Sequence, residues 1–210
     1  MKNLLHIDYI LIQNLLIDIE PSILDISYDL NDKNLFLQFV VLYGFNIPLE
    51  IIQKLRIELN SYNVQYNTIS ITREKFNENT GDWLPRYYKW LSHLLFSKAE
   101  VSESYPINNS ILFTKNTIDA DNEIIIQACA LKNALQRNIN DNFISVSFDI
   151  LKKKRIMIKF ILKKITDVEK EYIDDILAEY SAVELDYHLK FEMVTDKIEP
   201  LKYLVYRVKT

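Results

Sequence analysis

Polar and apolar residues alternate along Ile144 to Leu162, ISVSFDILKKKRIMIKFIL, on both sides of a basic turn. Alternation with period two marks a half-buried strand, so this stretch predicts a β-hairpin, with strands near Phe143 to Leu151 and Arg155 to Lys163. Nearly the same pattern occurs upstream in LDISYDLNDKNLFLQFVV, Leu24 to Val41, which predicts strands near Ile23 to Leu30 and Asn34 to Tyr43. Helical periodicity surrounds each hairpin. In the second half it covers Asn122 to Arg137 and Asp167 to Tyr180, and strands near Val183 to Val194 and Leu201 to Lys209 close the chain. In the first half it covers Tyr9 to Ile19 and a helix opened by Pro48, followed by a strand at Tyr66 to Glu74.

The helix from Asp167 has the strongest local signals. Thr166 and Glu169 form a Thr-x-x-Glu capping box, and Val168, Tyr172, Ile173, Ile176, Leu177 and Tyr180 share one face. Its opposite face is the acidic row Glu171, Asp174, Asp175 and Glu179.

The two halves also match point by point. Ile26-Ser27-Tyr28-Asp29 lies over Val146-Ser147-Phe148-Asp149, and Leu37-Gln38-Phe39-Val40 over Ile158-Lys159-Phe160-Ile161. Leu59, Tyr62 and Glu74 lie over Leu177, Tyr180 and Glu192. The expectation is an α+β protein of two tandem αββαββ units, residues 1–97 and 122–210, joined by a connector at 98–121. Antiparallel sheets would be covered by helices on one face. Residues 84–97 fit two readings. Leu84 to Trp90 can be the closing strand corresponding to Leu201 through Arg207, while Trp83, Tyr87, Trp90, Leu91 and Leu94 have helical spacing.

Composition narrows the function. With 49% hydrophobic and 26% charged residues, the chain has the balance of a globular protein. Residues 1–100 carry 9 basic and 12 acidic side chains and the rest carry 16 and 17, so neither half has the basic excess of a nucleic-acid binder. A single cysteine, Cys129, forms no internal disulfide and points to a cytoplasmic location. The opening MKNLLHIDYILIQNLLIDIE is broken by His6, Asp8, Asp18 and Glu20, so it reads as neither a signal peptide nor a spanning helix. The only glycines, Gly44 and Gly81, exclude glycine-rich phosphate loops, and the three histidines are scattered outside any metal or nucleophile motif. No cofactor and no metal site is expected.

From Ala134 to Arg207 the chain resembles a group of small bacterial proteins, one unit long, that are similar to immunity proteins encoded beside secreted or contact-delivered toxins. The resemblance is carried by Ala134-Leu135 with Ile139, Val146-Ser147-Phe148, Ile158-Lys159-Phe160, the capped helix from Thr166, and Pro200 followed by Leu204-Val205-Tyr206-Arg207. It implies action by binding, with occlusion of a toxin domain and no catalytic residue. A non-toxin interaction module is the alternative, and a small enzyme the third reading.

Strand alternation places the binding surface. It puts Val146, Phe148, Ile158, Phe160 and Tyr206 beneath the helices, and Lys159, Asp186, His188, Tyr203 and Arg207 on the opposite, open face. That face, combining an aromatic ring with a guanidinium, is the expected partner site, assisted by Glu171, Asp174 and Asp175. The expected assembly is a monomer or weak homodimer.

Overall fold

The computed structural model describes residues 2–77, 88–98, 123–152, 154–183, 187–195 and 198–209. The first half runs α1 (Lys2–Leu11), a π-helical turn (Ile12–Leu16), β1 (Ile17–Ile19), β2 (Ile23–Asn31), β3 (Asn34–Leu42), α2 (Leu49–Glu58), β4 (Asn63–Ile71), α3 (Arg73–Asn77) and β5 (His93–Ser97). The second half runs α4 (Glu123–Leu135), β6 (Phe143–Leu151), β7 (Arg155–Leu162), α5 (Asp167–Ala182), β8 (His188–Val194) and β9 (Tyr203–Val208). None of these helices is long and apolar enough to cross a membrane.

The protein is α+β, with two sheets ordered β4-β3-β2-β5 and β1-β9-β6-β7-β8. Both hairpins lie where alternation predicts them. The sheets are mixed, however, and not antiparallel as expected, because β3 pairs with β4 and β7 with β8 in parallel. A helix joins the strands of each such pair. It carries the chain back to its starting end, so the next strand must run in the same direction. The first helix begins and ends earlier than its periodicity suggests, and Ile17 to Ile19 leaves it as a strand. Glu74 lies on α3 and not in a strand, so its match to Glu192 does not hold.

Sheet pairing aligns the halves more closely than the sequence does. Ser27 pairs with Gln38 and Ser147 with Lys159. The closing strands then match residue for residue: His93, Leu94, Phe96 and Ser97 face Tyr28, Ser27, Ile26 and Asp25, while Tyr203, Leu204, Tyr206 and Arg207 face Phe148, Ser147, Val146 and Ser145. In each case the register shifts by one at a buried residue, Leu95 or Val205. The closing strand of the first half is therefore His93–Ser97, not Leu84 to Trp90. Within that stretch, Tyr88 to Trp90 has no regular structure and 84–87 lies outside the described residues, as does nearly all of the expected connector.

The halves share their core and clasp each other. One hydrophobic cluster contains Leu11, Leu16, Phe39 and Phe96 from the first half and Leu131, Phe148, Ile173 and Tyr206 from the second. The Phe96 and Tyr206 rings stack 5.8 Å apart. Gln13 Nε2 donates to the Leu204 carbonyl at 3.2 Å, and Gln136 Nε2 donates to the equivalent Leu94 carbonyl at 2.6 Å. β1 lies parallel to β9, while the Arg137 N–H reaches the Ser97 carbonyl at 2.9 Å. Asp18 (φ 62°) and Arg137 (φ 64°) make the left-handed turn that starts each crossing. Between α1 and α4 a buried ion pair joins Asp8 to Lys132 at 3.3 Å, and the Tyr28 hydroxyl donates to Asp8 at 2.5 Å.

Candidate partner-binding surface

The sheet face expected to be open is crossed by the protein itself. β8 and β9 lie on opposite sides of the β6–β7 hairpin, so the segment between them must traverse that face. It is held there by two bonds: the Leu201 N–H donates to Ser147 Oγ at 2.9 Å, and Lys159 Nζ donates to the Glu199 carbonyl at 3.3 Å. Ser147 is fully buried as a result.

The first half repeats this strap. The Leu91 N–H donates to Ser27 Oγ at 3.1 Å, and Gln38 Nε2 donates to the Lys89 carbonyl at 2.6 Å. Tyr88 and Trp90 both donate to the buried carboxyl of Asp25, and burial raises that group's pKa. Phe76 and Tyr88 complete a second apolar cluster with Leu24, Val40 and Ile71. Phe76 and Tyr88, both from the β4–β5 segment, thus cover the apolar outer face of β3 at Val40.

Of the five residues expected on one open surface, the four described ones have separate surroundings. Lys159, its side chain 11% exposed, pairs with Glu192 at 2.8 Å. Arg207 is bound bidentately to Asp18 through Nε at 2.6 Å and Nη2 at 2.8 Å, and this hydrogen bonding holds the Asp18 carboxyl below its ordinary range. Tyr203 is on the other side of the sheet from the one predicted. The extra residue at Val205 shifts the alternation, so Tyr203 pairs with Phe148 and the two rings lie 5.2 Å apart on the core side. His188 is exposed at the start of β8, on the outer face and level with Arg155. Asp186 lies outside the described residues.

The acidic face of α5 is in water at Glu171 and Asp174 as its sequence predicts, whereas Glu179 is half-buried and Val168, expected on the apolar face, is exposed. Tyr172, Ile173, Ile176 and Tyr180 are buried, while Glu171 and Asp174 are exposed and Asp175 is half-buried. The helix is fixed at its start by the capping box. Glu169 accepts from the Thr166 N–H and hydroxyl, from Asn140 at 2.8 Å and from Asn142 at 2.6 Å. Burial would raise its carboxyl, but the hydrogen bonds from Thr166, Asn140 and Asn142 outweigh that and pull it down to about 2. Near the other end Glu179 is pushed up to about 7, first by burial and then by Asp175.

Two features of the surface were missed by the sequence reading. Asp18 and Glu20 form a charged pair of rungs with Arg207 and Lys209, visible in sequence only as alternating acids and alternating bases 189 residues apart. Phe191, 45% exposed, projects from β8. A cleft of about 310 Å³ lies beside these rungs, lined by Asp18, Glu20, Ile51, Lys54 and Lys209. Among the described residues no three His, Cys, Asp or Glu side chains converge as metal ligands. Comparison with protein-family models and with curated proteins gives no match to this chain.

Proposed function

We propose that this chain is a cytoplasmic binding protein of the immunity type, which neutralises a bacterial toxin domain by occluding it. The observation that carries the reading is the acidic face of α5. Glu171 and Asp174 stand in water on a helix whose other side is locked into the shared core, so a basic partner meets a preformed row of charge at little ordering cost. The open-sheet site no longer supports the reading, since Lys159 and Arg207 already have partners and Tyr203 faces the core.

The test is co-expression with the product of the adjacent reading frame, followed by association kinetics on the purified pair. Protection of growth is expected, together with association that slows about tenfold in Glu171→Lys/Asp174→Lys at low salt and much less at high salt. Binding without protection would favour a non-toxin interaction module. Absence of binding, or rates unaffected by charge reversal, would remove α5 as the contact.

A further inference from the structure

Each sheet ends on a strand that follows a helix, β4 in one and β8 in the other, and these two edges are finished differently. The hydrogen bonds from Asn63 N–H to the Lys33 carbonyl and from His188 N–H to the Lys154 carbonyl bring the strands into correspondence. His188, Lys190 and Glu192 on β8 then stand where β4 has Asn63, Gln65 and Asn67. All nine residues of β4, NVQYNTISI, are uncharged, and the strand contains no proline. Charges and prolines on an edge discourage pairing with another chain, and β4 has neither.

Among the described residues, the hydrogen bonds of β4 show which of its backbone groups have no partner. Asn63 points its N–H at β3, and the Ile71 carbonyl accepts from Tyr43 at 2.9 Å, so the odd-numbered residues bond inward. The even-numbered residues 64, 66, 68 and 70 therefore point their N–H and C=O groups outward. Of these, the Val64 carbonyl is already taken by the Arg56 guanidinium at 3.3 Å. Asn67, Thr68 and Ser70 are exposed and Tyr66 is half-buried.

We infer that β4 is a self-association edge, joining antiparallel to β4 of a second copy to make one continuous sheet. The occupant follows from symmetry and charge. Across a two-fold axis every charge on an edge meets the strand's own charges, and β4 has none to repel a copy of itself. One antiparallel register uses only groups without a partner among the described residues: Thr68 meets Thr68 on the axis and Tyr66 meets Ser70, large against small. That register leaves the Arg56–Val64 contact intact.

Sedimentation equilibrium over a wide concentration range tests the inference on the full chain. The wild type should rise from 24.9 kDa toward twice that mass, while Thr68→Lys stays at 24.9 kDa with an unchanged circular dichroism spectrum and thermal midpoint. Amide exchange at Tyr66, Thr68 and Ser70 should slow as concentration rises. Cys129 is buried, so Thr68→Cys provides one reactive thiol per chain, which a short bismaleimide should link to its copy even if the lysine variant folds poorly. A wild type at monomer mass throughout would overturn the proposal. So would dimerisation of folded Thr68→Lys, or slow exchange at these amides already in the monomer, which would mean another segment covers the edge.

Discussion

Glu169 and Glu179 lie on one helix, yet their carboxyls are driven in opposite directions, and each fixes a pH dependence of known sign. Glu169 is held at about 2 in the fold against an ordinary 4.5, so its contribution is complete above pH 4.5 and is lost as pH falls toward 2. Glu169→Gln should cost at most about 3 kcal/mol at pH 7 and progressively less in acid, read from urea unfolding at a series of pH values. Glu179, raised to about 7, stabilises fully below pH 4.5 and loses that contribution as pH rises through 7. Glu179→Gln should therefore stabilise the protein at pH 8 and leave it unchanged at pH 4, in the same assay. The sequence displayed the capping partner of Glu169 three residues away, but not Asn140 and Asn142, which come from the loop before β6. Tyr203 shows the limit of alternation: a single extra residue at Val205, invisible in a polar–apolar pattern, turns the ring from one face of the sheet to the other.

Among the elements, the hairpins and α5 were legible because their signals are local: period-two alternation, a basic or Asn-Asp turn, and a capping box. The straps were not. The position of each depends on two strands lying at opposite sides of a hairpin, which no short window of sequence contains. The extra length of the first strap, 21 residues from Thr72 to Ser92 against 8 from Thr195 to Lys202, also broke the spacing of 118 to 121 residues at which the other matches between the halves fall. His-Leu-Leu-Phe-Ser over Tyr-Leu-Val-Tyr-Arg was there to be found at the new spacing. Ser27 and Ser147 make equivalent bonds to their straps, so Ser27→Ala and Ser147→Ala should each cost about 1–3 kcal/mol by stranding the Leu91 or Leu201 N–H. Faster amide exchange at that one leucine in each variant would check the assignment, and loss confined to one half would show that only one strap depends on its serine.

At the scale of the whole molecule the halves are interlocked rather than strung together. The similar patterns of the two halves did not show the exchange of contacts, because Gln13 to Leu204 and Gln136 to Leu94 join residues that no comparison of the halves with each other brings together. One apolar cluster runs through both, so denaturant unfolding should give a single transition, with far-ultraviolet circular dichroism and near-ultraviolet signals coincident. Two separated transitions would show that the clasp is weak compared with each half. The clasp also sets an order on biosynthesis. β1 is translated before β9, its partner, whose sequence follows every other strand of its sheet. Until β9 arrives, Leu11, Ile12 and Leu16 lack much of the surface that buries them, and the nascent chain carries an apolar helix while β2 to β8 are made. Slow elongation between α1 and β9 thus lengthens exposure of this helix, which makes this protein's yield sensitive to the availability of chaperones that hold nascent apolar helices.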